Sequence, residues 1–280
     1  MRVGPGTLRV EIASLSDTGR QRTSNEDAFV ELCRPDGLRL LMVADGMGGH
    51  AAGETASHTA VETARNVVKA ALGSPDEALR QAFEAANRAI HEAAERDAKL
   101  HGMGTTGVAL LAAPSGRCWV AHVGDSRAYR LRGERLEALT EDHSFVAELQ
   151  RRGLIDAAEA AVHPRRHQVL RSLGIEPEVE VELRALEVEP GDCVLLCSDG
   201  LSGVVDEAEI AERLASQDPA EAARSLVELA NERGGPDNIT VQIARFSSAA
   251  EQGASRLRHA GLAALGALAL LTVFWLLRGL

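Results

Sequence analysis

The alternation of apolar and polar positions along the chain predicts many short strands, two pairs of helices and one further short helix. Apolar runs bounded by turn residues predict strands at 10–15, 28–32, 38–44, 105–112, 118–123, 127–131, 135–139, 179–186, 192–197 and 239–246. Helical spacing of apolar residues predicts helices at 54–72, 75–100, 144–152, 206–215 and 219–233. The weakly patterned segment 155–168 is interpreted as a mobile excursion.

The order of these elements indicates the fold class. Strands come first, then two helices, many strands, two helices and a last strand. The middle contains hairpins, such as the one at the tight turn around Gly133, rather than alternating strand–helix units. Ser74 and Glu77 have the spacing of a capping box at the start of the second helix. This order favours an α+β domain with antiparallel sheets over a doubly wound parallel sheet.

Composition excludes some classes of protein without identifying the chemistry. The chain has 280 residues and a net charge of −11, which argues against a general nucleic-acid binder because such proteins present a basic face. The four cysteines are scattered among apolar runs and do not form a disulfide framework. Cys193 and Cys197 fall on one face of a predicted strand, so we interpret them as buried core thiols rather than half of a zinc site.

Carboxylates recur where predicted strands begin or end. The acids concerned are Glu26, Asp27, Asp45, Asp125, Asp199 and Asp237. Carboxylates that converge on one sheet edge repel each other unless a hard divalent cation such as Mg²⁺ or Mn²⁺ binds them. Two such ions can share a water molecule, lower its pKa and support an in-line phosphoryl displacement. Each Asp-Gly pair alone also fits a simple turn, so spacing leaves both interpretations open.

The same segments resemble, in order, the motifs of the PPM (PP2C-type) protein phosphatases, specifically their bacterial branch. The matching stretches are Asp17-Thr18-Gly19 through Arg22 to Asn25-Glu26-Asp27, Val43-Ala44-Asp45-Gly46-Met47-Gly48-Gly49, Gly102-Met103-Gly104-Thr105-Thr106, His122-Val123-Gly124-Asp125-Ser126-Arg127, Asp142-His143-Ser144, Leu173-Gly174, Cys197-Ser198-Asp199-Gly200-Leu201 and Asp237-Asn238-Ile239-Thr240. A single Asp-Gly match carries little information, whereas the ordered set over residues 8–246 is highly specific.

The resemblance implies an αββα sandwich with metal ions at one end of its two antiparallel sheets. In the family, the residue that matches Asp45 bridges two metal ions, and the carbonyl that matches Gly46 ligates one of them. The positions of Asp199 and Asp237 complete the shell of the first metal ion. The resemblance thus implies Mn²⁺ or Mg²⁺, with two ions at the core site.

Further matched residues extend this implied site. Glu26 and Asp27 match acids that hold the second metal ion directly or through water. Asp125 matches the residue that, with the counterpart of Asp199, holds a third metal ion in bacterial members. Arg22 matches the arginine that binds the substrate phosphate, and its planar guanidinium suits two phosphate oxygens. The implied activity is dephosphorylation of phosphoserine and phosphothreonine in proteins, by attack of a metal-bridging water.

One motif position departs from the family. Many eukaryotic members carry a histidine directly after the Asp-Gly pair, proposed as the general acid, and this chain has Met47 there. His50 is offset from that position and does not inherit the role, so the general acid stays unassigned. His143 and His163 fall where bacterial members have a flap beside the cleft, and they fit surface or capping histidines as well as residues that contact substrate.

The C-terminal region predicts a membrane anchor. Residues 260–277 form 18 consecutive positions without a charge, which as a helix would be about 27 Å long, close to the bilayer core of about 30 Å. Basic residues flank the stretch and Trp275 fits an interfacial position. We predict a phosphatase domain at 1–246, a linker at 247–259 and a transmembrane helix at 260–277. A buried or self-associating helix is the alternative.

The predicted protein is therefore a phosphatase held at the cell membrane, with its catalytic domain in the cytoplasm. Its predicted partners are phosphorylated proteins, including a Ser/Thr kinase, and not nucleic acid. Two other functions use the same features: a catalytically weak phosphoprotein-binding scaffold and a metal-dependent nuclease. The complete acid set argues against the first, and the acidic net charge argues against the second.

Overall fold

A computed structural model of the chain describes residues 8–248. The strands are β1 (Arg9–Asp17), β2 (Asp27–Cys33), β3 (Arg39–Met47), β4 (Gly104–Thr105), β5 (Gly107–Ala112), β6 (Arg117–Val123), β7 (Arg127–Arg132), β8 (Arg135–Ala138), β9 (Glu182–Glu187), β10 (Cys193–Cys197) and β11 (Ile239–Ser247). The helices are α1 (His50–Ala70), α2 (Pro75–Arg96), α3 (Phe145–Arg151), α4 (Ala157–Val162), α5 (Asp199–Ser202), α6 (Glu207–Ser216) and α7 (Pro219–Glu232).

The strands form two antiparallel sheets. One has the order β1-β11-β10-β7-β8, and the other has the order β2-β3-β5-β6-β9 with β4 paired to the end of β3. In the first sheet the first strand of the domain, β1, lies beside the last, β11. The pairing of β1 with β11 places Asp17 opposite Ile239, so the loop that follows β1 starts beside the residues that enter β11.

Three hydrophobic clusters define four layers. Alternate residues of β3 point to opposite faces: Leu40 and Met42 pack with α1 and α2, whereas Leu41 and Val43 pack between the sheets. Helices α6 and α7 cover the outer face of the other sheet through a cluster that includes Leu226. Since β3 and β10 are buried on both faces, their sequences are continuous apolar runs. The αββα sandwich is therefore present.

Most predicted elements are confirmed. The hairpin around Gly133 joins β7 to β8, and α3 follows the predicted segment closely. Cys193 and Cys197 are both buried on the helix-covered face of β10 as free thiols.

Three local predictions need correction. Strand β3 continues beyond Ala44 to Met47 because Asp45 pairs with Asp27 of β2 and the last two residues pair with β4, so Asp45 lies within a strand and not in a turn. The segment predicted as an excursion contains α4, which begins with a capping box between Asp156 and Glu159. At α2 the side chain of Ser74 makes no capping bond to the backbone.

The predicted linker and transmembrane helix fall almost entirely outside the described residues. Strand β11 ends at Ser247, just past the predicted domain boundary. Residues 249–280, which include the predicted span at 260–277, lie outside the described part. Within residues 8–248, no helix combines the length and the hydropathy needed to cross a bilayer.

Candidate active site

The acids singled out from the sequence come together at one end of the two sheets. Asp27 and Asp45 are direct partners across β2 and β3, Asp125 follows β6, Asp199 follows β10 and Asp237 precedes β11. Four of them, Asp45, Asp125, Asp199 and Asp237, line a cleft of about 880 Å³. Its wall includes Arg22, Glu26, Asp45, Asp125, Asp199 and Asp237. Asp27 is 5% exposed and does not line the cleft.

The backbone of Asp45 is fixed by a pair of threonines on the neighbouring chain segment. The N–H of Asp45 donates to Thr106 Oγ1 at 3.1 Å, and the N–H of Thr106 donates to the Asp45 carbonyl at 2.9 Å. Thr105 Oγ1 donates to the same carbonyl at 2.8 Å. These bonds hold the Asp45 backbone in place at the cleft.

Two glycines allow Glu26 to approach the end of β3. The N–H of Gly46 donates to the Glu26 carbonyl at 3.1 Å, and a Cβ on Gly46 would lie 2.6 Å from that oxygen. A Cβ on Gly53 in α1 would lie 2.0 Å from Glu26 Oε2. Gly53 is therefore required for the position of the Glu26 carboxylate. Sequence reasoning missed it, because a glycine inside a helix carries no motif of its own.

Asn238 ties the loop with Arg22 and Glu26 to the start of β11. Its Oδ1 accepts from the N–H of Glu26 at 2.8 Å, and its Nδ2 donates to the carbonyls of Thr18 and Ser24 at 2.9 Å each. Asn238 is buried, so these bonds are shielded from water. The motif contained this residue, but only the fold reveals that it positions the loop.

Arg22 lies at the mouth of the cleft. Its Nη2 is 2.7 Å from Asp237 Oδ2, and half of its side chain is exposed to solvent. A guanidinium in this place can contact an incoming anion without leaving the acid cluster. Arg127 also reaches the cleft wall, but its Nε and Nη2 donate to the two carboxylate oxygens of Asp142.

Burial and mutual repulsion raise the pKa values of the carboxylates in this cluster, as expected at a site that binds cations. Burial, reinforced by Asp199 and Asp237, raises the pKa of Asp27 to about 7. Burial and the charge of Asp199 raise the pKa of Asp125 to about 7 as well. Burial and neighbouring carboxylates also raise the pKa values of Asp45 and Asp199. Ionising these groups together at neutral pH is therefore unfavourable in the protein alone.

Two buried carboxylate oxygens support the same interpretation. The Oδ1 atoms of Asp27 and Asp199 have no hydrogen-bond partner within residues 8–248. Buried charged oxygens without donors are costly, whereas divalent cations such as Mg²⁺ prefer oxygen ligands. The residues present therefore fit a site for hard divalent cations.

We expect the stability of the metal-free protein to fall as pH rises from about 5 to about 8. Asp27 has a folded-state pKa raised from 3.8 to about 7, so its contribution to folding is present below 3.8 and is lost as pH rises through 7. Half-buried acids with lowered pKa values, such as Glu137 and Glu209, titrate below this range. Thermal unfolding in EDTA and with excess Mn²⁺ measures the effect.

Manganese should remove most of this pH dependence, because a bound cation favours the ionised carboxylates. An Asp27→Asn variant should show a flatter profile in EDTA than the wild type. A metal-free stability that increases steadily between about pH 5 and about pH 8 would contradict the account of these carboxylates.

The other residues singled out from the sequence are Met47 and three histidines, His50, His143 and His163. Met47 lines the cleft, and the side chain of His50 is outside the described part of the structure. His143 is buried, so it is not a surface histidine, and it does not line the cleft. The ring of His163 lies 5.6 Å from that of Phe145. The general acid remains unassigned by this arrangement.

Comparison with known proteins identifies the class. Residues 18–241 match the family model described as Protein phosphatase 2C. The chain is 43% identical over 232 residues to the serine/threonine phosphatase stp of Listeria monocytogenes, a match that covers 81% of this chain and 92% of that protein. It is also 43% identical over 239 residues to the serine/threonine protein phosphatase PstP of Mycobacterium tuberculosis, covering 85% of this chain and 45% of PstP.

Solved structures agree with the sequence relatives. The catalytic domain of PstP in complex with two manganese ions superposes with a TM-score of 0.78 at 41% identity, covering 86% of this chain and all of that chain. The chain therefore belongs to the protein phosphatase 2C family, which confirms the resemblance to its bacterial branch. It is a metal-dependent protein phosphatase.

Proposed function

We propose that this chain removes phosphate from phosphoserine and phosphothreonine in proteins, and that the acid cluster at the end of the sheets holds Mn²⁺ or Mg²⁺ for this reaction. The observation that carries the proposal is the convergence of buried, mutually repelling carboxylates on an open cleft with an arginine at its mouth. The relatives described above, named as serine/threonine phosphatases, support the substrate class. Phosphate release from a phosphothreonine peptide by the full chain tests it.

The cluster divides into ligands for two core metal ions and a third. Asp45, the carbonyl of Gly46, Asp199 and Asp237 would hold the first ion, with Asp45 shared between the two core ions. Glu26 and Asp27 would serve the second ion, directly or through water. The manganese ions of PstP support two core positions.

Asp125 would hold the third ion together with Asp199. These two carboxylates interact in the protein, since the charge of Asp199 raises the pKa of Asp125. When bound, the metal ions offset the negative charge of the carboxylates and the phosphate and activate the attacking water.

The protein itself binds and orients the phosphate. The guanidinium of Arg22 is held at the cleft mouth by Asp237 at 2.7 Å, and the loop that carries it is fixed by Asn238. This prior placement reduces the ordering required when a phosphate group arrives. The backbone bonds to Thr105 and Thr106 likewise fix Asp45 before binding.

The scaffold alternative is disfavoured by the same geometry. Asp45, Asp199 and Asp237, which the family resemblance implies as metal ligands, are all present and line one cleft, which supports an enzyme. The nuclease alternative is disfavoured by the acidic net charge.

The proposal extends to location and partners. The uncharged stretch at 260–277 supports a tail anchor, with the catalytic domain in the cytoplasm and phosphorylated membrane-proximal proteins, including a Ser/Thr kinase, as substrates. We expect truncation after Ser255 to move the protein from the membrane fraction to the soluble fraction of the cell. Unchanged fractionation of the truncated chain would contradict the anchor.

A further inference from the structure

A second cluster of titratable residues lies outside the proposed metal centre. His122 in β6 and His143 in the segment before α3 stack with ring centroids 4.6 Å apart. Both are about 4% exposed. His143 Nε2 lies 2.9 Å from Glu182 Oε1 at the start of β9. Burying polar atoms of a side chain costs free energy unless those atoms are hydrogen-bonded. The partners of these two buried rings therefore indicate what the cluster does.

A metal site is one interpretation of this cluster, since its ligand atoms lie within 4.8 Å of one another. The hydrogen bonds argue against it. The N–H of Gly124 donates to His143 Nδ1 at 3.1 Å, so the proton of the neutral ring is on Nε2, where it faces Glu182. His122 Nε2 lies 2.8 Å from the carbonyl of Glu141, to which it can donate.

Charge gives a second argument against a metal ion in this cluster. Nη1 of Arg171 lies 3.4 Å from His143 Nε2 and 3.5 Å from Glu182 Oε1. The same guanidinium pairs more closely with Glu180, through Nη2 at 2.9 Å, and its positive charge beside the cluster would repel a divalent cation.

The bonds of His143 instead connect it to the cleft wall. Its backbone N–H donates to the Gly124 carbonyl at 2.9 Å, while its ring accepts from the N–H of the same glycine. Its own carbonyl accepts from the N–H of Leu170 at 2.7 Å. His143 thus fixes both polar groups of the residue that directly precedes Asp125.

Gly124 is a position where the backbone needs this support. Its φ is +108°, and a Cβ there would lie 2.7 Å from the side chain of Thr106. Its backbone turns sharply to direct the chain from β6 into the cleft. A buried N–H in such a turn needs an acceptor, and the imidazole of His143 provides it.

We infer that His143 is a positioning residue: its neutral ring, oriented by Glu182, holds the amide of Gly124 and thereby places the Asp125 carboxylate at the cleft. Residues that orient metal ligands in this way are commonly as important as the ligands themselves. Burial and the nearby His122 lower the pKa of His143, which keeps the ring in the neutral form that can accept this bond. The inference rests on the proposed role of Asp125 as a metal ligand.

Two substitutions of His143 test the roles of its two ring nitrogens separately. In His143→Asn the side-chain oxygen lies near the former Nδ1 and can still accept from Gly124. In His143→Gln the amide lies near the former Nε2, so it can reach Glu182 but not replace the acceptor. The two variants are similar in polarity, and each serves as the control for the other.

The experiment uses the full chain with two measurements. In EDTA, hydrogen–deuterium exchange of the peptide around Gly124 should be faster in His143→Gln than in the wild type, and near the wild-type rate in His143→Asn. In a Mn²⁺ titration followed by electron paramagnetic resonance, His143→Gln should weaken binding at the site proposed to contain Asp125 about tenfold. His143→Asn should bind Mn²⁺ there nearly as tightly as the wild type. A His143→Gln protein that matches the wild type in both measurements, or equal impairment of the two variants, would overturn the inference.

An Asp125→Asn variant distinguishes this inference from the proposed metal assignment. It should remove the Mn²⁺ site proposed to contain Asp125 and leave the hydrogen–deuterium exchange of the Gly124 peptide nearly unchanged. If Asp125→Asn binds Mn²⁺ as the wild type does, the assignment of Asp125 is wrong, while the exchange rates still decide whether His143 holds Gly124. Binding of Zn²⁺ by the wild type that is lost in both His143 variants would overturn the inference in favour of a metal site.

Discussion

Replacing Asp199 with asparagine should lower kcat/KM for a phosphothreonine peptide by about a hundredfold or more, while the metal-free fold becomes more stable. Asparagine keeps the size of the side chain but removes one negative charge from the cluster. Burial and the charge of Asp237 raise the pKa of Asp199, so its ionised form destabilises the metal-free protein at neutral pH. The same substitution weakens metal binding, because a neutral amide is a poorer ligand for a divalent cation.

Opposite changes in activity and stability distinguish this prediction from simple misfolding. The measurements are phosphate release in Mn²⁺ and the unfolding temperature in EDTA. Asp76→Asn is a matched control, since Asp76 is an exposed acid in the first turn of α2. It should leave both quantities close to those of the wild type. Full activity in Asp199→Asn, or a lowered unfolding temperature in EDTA, would contradict the assignment.

Replacing Arg22 with alanine should raise KM about tenfold, because a charge-assisted bidentate contact to the phosphate is lost. Arg22→Lys should recover only part of the loss, since an ammonium cannot present two parallel donors. Stability should change by less than about 1 kcal/mol, because the pair with Asp237 is exposed at the surface. Steady-state kinetics over a range of peptide concentrations measure the effect.

Arg20 provides the control for Arg22. It belongs to the same loop, is exposed, and is not part of the cleft wall. Arg20→Ala should therefore retain the wild-type KM. An Arg22→Ala enzyme with unchanged KM would show that phosphate is bound without this guanidinium.

Much of the fold follows from local patterns in the sequence. Strand β10 was predictable because it is buried on both faces and its residues Cys193–Cys197 form an unbroken apolar run. The hairpin of β7 and β8 was predictable from its turn. Helix α4 was not identified, although Asp156 and Glu159 have the spacing of a capping box. That local signal was present and was outweighed by the weak apolar pattern around it.

The end of β3 shows what local patterns omit. Asp45 and Gly46 have the composition of a turn, yet they continue the strand because Asp45 pairs with Asp27 of β2 and Gly46 pairs with Thr105 of the distant β4. No property of residues 38–47 alone contains that pairing, since it depends on where Thr105 lies in the folded chain. Tertiary contacts therefore override local propensity at the residue that is central to the proposed chemistry.

The candidate site also contains residues that local patterns reveal and residues whose roles depend on tertiary contacts. Its acids could be found because each lies in a short motif that the family preserves in order. The supporting residues could not be assigned roles, because those roles depend on contacts between distant segments. Gly53 gives space to Glu26, Asn238 fixes the loop of Arg22, and His143 holds Gly124. Each contact becomes apparent only when the sheets are assembled.

The central claim is that the carboxylate cluster around Asp45 holds the divalent cations required for phosphate release. It is tested most directly by assaying the EDTA-treated full chain with a phosphothreonine peptide while Mn²⁺ is added back, beside an Asp45→Asn variant. We expect no release in EDTA, recovery with Mn²⁺ in the wild type, and little recovery in the variant. Release that persists in EDTA, or full recovery by Asp45→Asn, would contradict it.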